Sequence, residues 1–500
     1  MIYPHVCLAK VHYSVEISKI IVKFLHIINK VSIFFCTFAS SMDKNKQATL
    51  ELGTKPVGKL LMQYALPAMI AMTASSLYNI ADRIFIGQGV GAMAISGLAI
   101  TFPFMNLTAA FGAAIGVGAS TAISVKLGQK DYQTAQNLLG NAVSLKLIIG
   151  IGLSILCLLF LDPILMFFGA SKATLPYAHE YMFIIMLGNV FSHLYFGFNA
   201  LLRAASKPKQ AMYATMFTVV MNIALDALFI LAFGWGIAGA AVATVLSQLM
   251  ALVWQLRFFC DKKEILHFKP GIYRLKRRLV DNILSIGISP FLMNVCACVV
   301  VIFMNNQFVR YGGDLSVGAY GIANGIAMVF VMFVMGLNQG MQPIAGYNYG
   351  AQRFDRLMRV LNLSIVAATV IMCTGWLIAM LLPYYCARLF TTDAVLIQMS
   401  VKAIRIVMMM FPFIGFQMVV TNFFQCIGKV KVSIFLSLSR QLLMLLPLLG
   451  ILPLVWGIDG VWASMPASDF GAAFVAFFVM TVYMRKLKQQ HILNTQQNGK

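Results

Sequence analysis

The stretch Val219–Leu231, VVMNIALDALFIL, is an almost unbroken apolar run holding one amide, Asn222, and one carboxylate, Asp226, four residues apart. On a helix that spacing puts both side chains on one face, a turn apart. If the helix lies in a bilayer, a central aspartate costs roughly 2.5 to 3.5 kcal/mol, so an acid kept there marks a functional site by default. The plainer reading is that Asp226 only bonds a neighbouring helix.

The rest of the chain supplies the bilayer. Of 500 residues 60% are hydrophobic and 11% charged, against about 25% charged in soluble domains. Apolar runs long enough to span lipid recur along most of the length, and the short alternating segments of a membrane β-barrel are absent. The sequence therefore predicts an all-α polytopic membrane protein. Its twelve transmembrane helices fall near 60–87, 94–125, 136–161, 177–202, 208–233, 237–259, 283–309, 316–346, 357–382, 398–426, 431–454 and 457–484.

A net charge of +22 would suggest nucleic acid in a soluble chain, but here the bases sit in clusters between apolar runs. Lys126 and Lys130 follow the second span, Arg203, Lys207 and Lys209 the fourth, and Arg353, Arg356 and Arg359 the eighth. The longest connection, after the sixth, carries Lys262, Lys263, Lys269, Arg274, Lys276, Arg277 and Arg278. By the positive-inside rule both termini of this multi-pass chain face the cytoplasm, and no nucleic-acid partner is implied. Nine scattered cysteines read as small core residues, so neither disulfides nor a metal site is expected.

The two halves repeat. Gly128-Gln129-Lys130-Asp131-Tyr132 matches Gly350-Ala351-Gln352-Arg353-Phe354 at an offset of 222 residues, and Arg203–Lys209 matches Gln425–Lys431 at the same offset. Trp235-Gly236-Ile237 matches Trp456-Gly457-Ile458 at 221, and Pro67 matches Pro290 at 223. Each half has an even number of spans, so the halves enter the membrane the same way round and are related by an axis along its normal. The expected organisation is an N-terminal extension (1–50), an N-lobe (51–260), a basic linker (261–281), a C-lobe (282–486) and a short tail (487–500), with two six-helix bundles facing a central cleft. Residues 1–41 are basic and too often interrupted for a signal-peptide core, and Met42 looks like the true initiator.

The repeat is symmetric in outline and asymmetric in acid. Asn222 falls on Met444, Asp226 on Leu448 and Asp82 on Asn305, so both deep carboxylates belong to the N-terminal half. Tyr78 and Asn79 share the face of Asp82, one turn earlier. Two carboxylates close together in a low-dielectric bundle cannot both stay charged cheaply, so such a pair is suited to taking up and releasing a proton. Acids and amides together also suit Na⁺, to which Thr244 would add a hydroxyl. Pro67 frees a backbone carbonyl within the helix that carries Asp82 and permits a bend there. In the C-terminal half, amides such as Asn294, Asn338, Gln342 and Asn348 read as interhelical hydrogen bonds. Arg440 and Asp469 form either a salt bridge or a second ionic site, and His193 reads as a hydrogen-bonded core residue. Gly112–Ser120 lies inside a span and follows no strand, and no Walker lysine occurs, so the chain carries no ATPase of its own.

Several motifs resemble the multidrug and toxic compound extrusion (MATE) family, in particular its MepA-like and DNA-damage-inducible bacterial branches. They are Leu66-Pro67, Asp82-Arg83-Ile84-Phe85-Ile86-Gly87, Lys126-Leu127-Gly128, Arg203-Ala204, Asn222-Ile223-Ala224-Leu225-Asp226 and Gln342-Pro343-Ile344-Ala345-Gly346-Tyr347-Asn348-Tyr349-Gly350. The resemblance covers about 51–486 in both halves. It implies an antiporter that exports cationic or amphipathic drugs against inward H⁺ or Na⁺ by alternating access. It also implies a coupling-ion site at Asp82, Asn222, Asp226 and Thr244, with Asn199 as a further member, and a bending proline at Pro67. Another branch of the family uses acids in the seventh and tenth spans, where this chain has none. No cofactor beyond the coupling ion, and no second subunit, is implied. The competing readings are a flippase for lipid-linked saccharides, which would want several cations in the cavity, and a membrane-embedded enzyme, which would want a ligand or nucleophile cluster that the sequence lacks.

Overall fold

The computed structural model describes residues 51–498, without the side chains of Leu77, Asn79, Ile80, Ala92, Asp314 and 486–498. The expectations for residues 1–41 and Met42 lie outside the described residues. Continuous apolar stretches become long helices, because every backbone polar group must be satisfied within the segment once water is excluded. The spans are α1 (Val57–Gly89), α2 (Met93–Gly128), α3 (Tyr132–Leu159), α4 (Leu175–Ala204), α5 (Pro208–Ala232) and α6 (Gly236–Cys260). The second half supplies α7 (Arg277–Gly313), α8 (Leu315–Gly350), α9 (Phe354–Leu381), the bent pair Ala394–Val407 and Phe411–Cys426 taken as α10, α11 (Val430–Trp456) and α12 (Ile458–Arg485). Counting the pair, which bends by 51°, as one span gives twelve among the described residues.

The repeat seen in the sequence is written into the backbone. Left-handed residues occur at Gly91 and Gly313, Lys130 and Gln352, Ser206 and Gly428, and Gly236 and Gly457, the spacing of the sequence matches. Short helices, Leu161–Phe167 and Pro383–Arg388, also recur at corresponding places after α3 and α9.

The halves meet about their pseudo-two-fold axis. A Cβ on Gly128 would lie 2.0 Å from the Tyr347 carbonyl oxygen, and a Cβ on Gly350 would lie 2.0 Å from that of Val125. These are the same contact seen from each lobe, and only glycine lets α2 and α8 approach that closely. Around it Gln342 Nε2 donates to Ser120 Oγ and Thr121 Oγ1, both at 2.8 Å. Asn348 and Arg356 donate to the Leu52 carbonyl, each at 3.2 Å, and Arg356 also to that of Lys55 at 2.6 Å. This seam lies at the end of the bundle that carries the basic loops.

The linker is not a loose tether. Asn141 of α3 donates to the carbonyls of Ile272 and Arg274 at 3.1 and 3.2 Å and accepts from the Lys276 amide at 2.8 Å. Leu266 and Ile272 are buried, and a Lys207–Glu264 ion pair of 2.5 Å pins the segment to the start of α5.

Candidate functional site

Asp82 lies in the last quarter of α1, well beyond the seam, and Asp226 closes the regular part of α5. The helix continues past Asp226 as a π-helical segment, Ala227–Ala232, a distortion common at functional sites. Asp226 is fully buried and Asp82 is 8% exposed. Their carboxyl groups are in hydrogen-bonding contact with each other. Apart from that contact, both oxygens of Asp226 and Oδ1 of Asp82 have no partner. Two ionised carboxylates cannot stay so close in a dry interior unless a proton or a metal cation lies between them.

The surroundings reinforce this. Asn222, one turn before Asp226, donates weakly to Thr244 Oγ1 of α6 at 3.4 Å and leaves its buried Oδ1 without a partner. Tyr181 of α4 hydrogen-bonds to Thr244 and lies within electrostatic reach of both acids, as does Tyr78 of α1. The unmet capacity in the cluster is thus acceptor oxygen, from carboxylate and amide, in a space that no lysine or arginine enters as an ion-pair partner. Arg83 turns away and is exposed, with its guanidinium 5.8 Å from the Phe102 ring centre. Such an oxygen set fits a proton or a hard cation such as Na⁺.

Of the predicted site residues, Asp82, Asp226, Asn222, Thr244 and Tyr78 come together. Asn199 does not join them. It donates to Thr215 Oγ1 at 3.3 Å, about 16 Å of helix from Asp226 along α5, in a separate network with Tyr195 and Thr218. The side chain of Asn79 lies outside the described residues. Pro67 is buried inside a continuous α1, where Gly336 and Gly340 of α8 bring that helix's backbone against Met69 and Ala65 on either side of it. Arg440 and Asp469 form a salt bridge, Nε to Oδ1 at 2.7 Å, which settles that pair as internally neutralised. Gln342, Asn338 and Asn348 make the helix-to-helix hydrogen bonds expected of them. His193 is a buried core residue whose ring meets the Thr108 backbone in a loose hydrogen-bond contact. Sequence reasoning missed Tyr181, one of three tyrosines in its span, with nothing in the sequence to set it apart from Tyr177 and Tyr195.

Comparison with known proteins gives a consistent result. The chain matches the MatE family over residues 67–228 and 286–449. It is 28% identical to the multidrug export protein MepA of Staphylococcus haemolyticus, over 84% of this chain and 93% of the relative. A solved structure described as the outward-facing conformation of a multidrug resistance MATE family transporter superposes with a TM-score of 0.84 at 26% identity, covering 89% of this chain and 100% of the other. A MATE crystal structure in the bent conformation also superposes with a TM-score of 0.84, at 25% identity, covering 89% and 99%.

Proposed function

The chain belongs to the MatE family, and from that premise we propose that it is a secondary active antiporter of a bacterial membrane. It exports cationic or amphipathic compounds in exchange for H⁺ or Na⁺ bound at Asp82 and Asp226. The multidrug-export relatives support the cargo class. The observation that carries the coupling is the contacting acid pair, buried in one lobe with its remaining oxygens unpartnered.

A cation bridging the two acids draws α1 toward α5 and removes their mutual repulsion. When it leaves, the repulsion returns, and Pro67 gives α1 a place to bend, where it lies against α8. With the basic loops read as cytoplasmic, the Gln342–Ser120–Thr121 seam is the closure on the inner side. Alternation then consists of opening that seam while the two lobes close at the other end.

The experiment is dye efflux from vesicles containing the purified protein, with ethidium as the cationic probe, under an imposed pH gradient and separately under an imposed Na⁺ gradient. Efflux under one gradient identifies the coupling ion. Efflux under neither would overturn the antiport reading and turn attention to lipid-linked cargo.

A further inference from the structure

A second buried charge in the N-lobe takes no part in the acid cluster. Lys146, midway along α3, is 1% exposed. Its Nζ donates to the Gly112 carbonyl of α2 at 2.9 Å and to the His193 carbonyl of α4 at 3.1 Å. Both carbonyls lie in helix interiors, where one lone pair already serves the amide four residues on. A donor that competes for the second lone pair of each is well served by positive charge.

No carboxylate among the described residues forms an ion pair with it. The slot is shaped around the lysine: a Cβ on Gly197 would lie 2.1 Å from its Cε, and one on Gly116 would lie 3.6 Å from its Nζ. His193 fills the next space, its ring 3.4 Å from where a Cβ on Gly112 would stand. A glutamine would tie the three helices together without the cost of a buried charge, so the charge itself calls for a role.

We propose that Lys146 is the counter-charge of the N-lobe, a positioning residue that sets how tightly the Asp82–Asp226 pair holds its cation. The proposal rests on reading that pair as the coupling-ion site. Two ionised acids and one ammonium leave the lobe interior with a single negative charge, so one H⁺ or Na⁺ neutralises it. Without the lysine, one cation would leave the lobe still negative, and release would be harder.

Helix α4 runs between the two groups, with His193 and Gly197 toward the lysine and Tyr181 within reach of both acids. The other ionisable groups nearby are few. Tyr78 faces the acids from α1, and on α4 Tyr195 lies within reach of Tyr78 and of Arg203, while α2 has no ionisable side chain before Lys126 and α6 none before Arg257. In α7 the charged groups sit toward the ends, at Arg277, Arg278, Asp281 and Arg310, with the thiols Cys296 and Cys298 midway and Tyr311 near the end.

The test compares Lys146→Met, Lys146→Arg and Gly197→Ala in the vesicle assay across a series of pH values, with membrane yield and thermal stability measured alongside. His193 and Gly197, beside the lysine, stand 12 and 16 residues past Tyr181 on α4, so the ammonium lies about 18–24 Å from the acids along that helix, and a unit charge there at an effective dielectric of about 20 corresponds to roughly half a pH unit or slightly more. Removing a positive charge favours the protonated acids, so the midpoint of the pH dependence in Lys146→Met should move to higher pH by that amount. Under Na⁺ coupling, the half-saturating Na⁺ should fall by about threefold to fivefold. Lys146→Arg should keep the parent midpoint, and Gly197→Ala, which displaces the ammonium, should move it part of the way. If Lys146→Met does not accumulate, Lys146→Gln, which retains donors for the two carbonyls, takes its place.

A parent midpoint in the charge-free variant, with only yield or stability reduced, would overturn the proposal and leave Lys146 as a structural tie. Efflux that survives Asp226→Asn would instead overturn the coupling-site reading on which it rests.

Discussion

The N-lobe and the C-lobe have the same helix order, the same turn conformations at matched positions and even the same short helix after the third span of each. They part company over how they hold charge. In the C-lobe the buried acid, Asp469, meets Arg440 at 2.7 Å. In the N-lobe the buried acids meet each other, and their remaining oxygens find no donor. Each lobe also has a π-helical distortion, but in different places: after Asp226 in one, and across Ser439–Leu445, enclosing Arg440, in the other. A paired charge is settled at all times, whereas a pair of like charges has two states separated by one cation. Duplication gave the scaffold its two-fold symmetry, and departure from that symmetry gives it something to couple.

The sharpest way to break the contrast is to make the N-lobe neutral. Asp226→Asn keeps the shape and removes one of the two acids, so the lobe no longer needs a cation to close. Gradient-driven efflux should fall by about tenfold or more, the scale of coupling between linked sites, while membrane yield is kept. Ethidium efflux at parent rates in that variant would end the assignment. Asp82→Asn removes the same charge from the less deeply buried partner. It should reduce efflux less and flatten its pH dependence, which a pH series on the same vesicles would read.

Much of this contrast was legible before any coordinates. The offset of 222 residues aligned Asp226 with Leu448, and the number of spans followed from apolar runs that bilayer thickness leaves little freedom to interpret. The pairing of Arg440 with Asp469 was one of two readings, and only geometry could choose, because the two stand on different helices. Tyr181 and Lys146 were not legible. A phenol or a lysine in an apolar span has no periodicity of its own, and its meaning lies in the neighbour it meets across the lobe. Asn199 is the opposite case: it stands at the basic end of the fourth span while Asp226 stands toward the far end of the fifth, a difference of depth that the span boundaries already carried.

The contrast works only if the lobes can part, and that depends on the seam. Gln342→Ala removes two hydrogen bonds across it, each worth about 1 kcal/mol net. The population open at the basic end should rise by roughly thirtyfold, read as greater labelling of a single cysteine introduced among the seam residues. A Ser120→Ala, Thr121→Val double variant should do the same, and adding Gln342→Ala to it should add little, since all three share one interaction. Independent, fully additive effects would mean that the glycine contacts, not the amide, hold the seam.

A smaller effect is expected in the settled lobe. Asp469→Asn strips Arg440 of its partner and should lower the melting temperature by a few degrees, with little change in the pH or Na⁺ dependence of efflux. Replacing both members, Arg440→Met with Asp469→Leu, should recover most of that stability, because removing the pair leaves no uncompensated charge. A change in the coupling ion's midpoint in either variant would show that the C-lobe pair takes part in the ion cycle, and the division of labour between lobes would then have to be redrawn.

The smallest effect is the one that sets the edge of the site. Asn199 stands in the coupling lobe but bonds Thr215, about three turns of α5 away from Asp226. Asn199→Ala should therefore change efflux by less than about twofold and leave its pH midpoint in place, because it removes one neutral hydrogen bond of about 1 kcal/mol from a network the acids do not touch. Tyr195, which shares that network, lies within reach of Tyr78 beside the acids, so a path between the two does exist. A loss comparable to that of Asp226→Asn would mean that the cation visits both places, and the N-lobe would hold a pathway rather than a single seat.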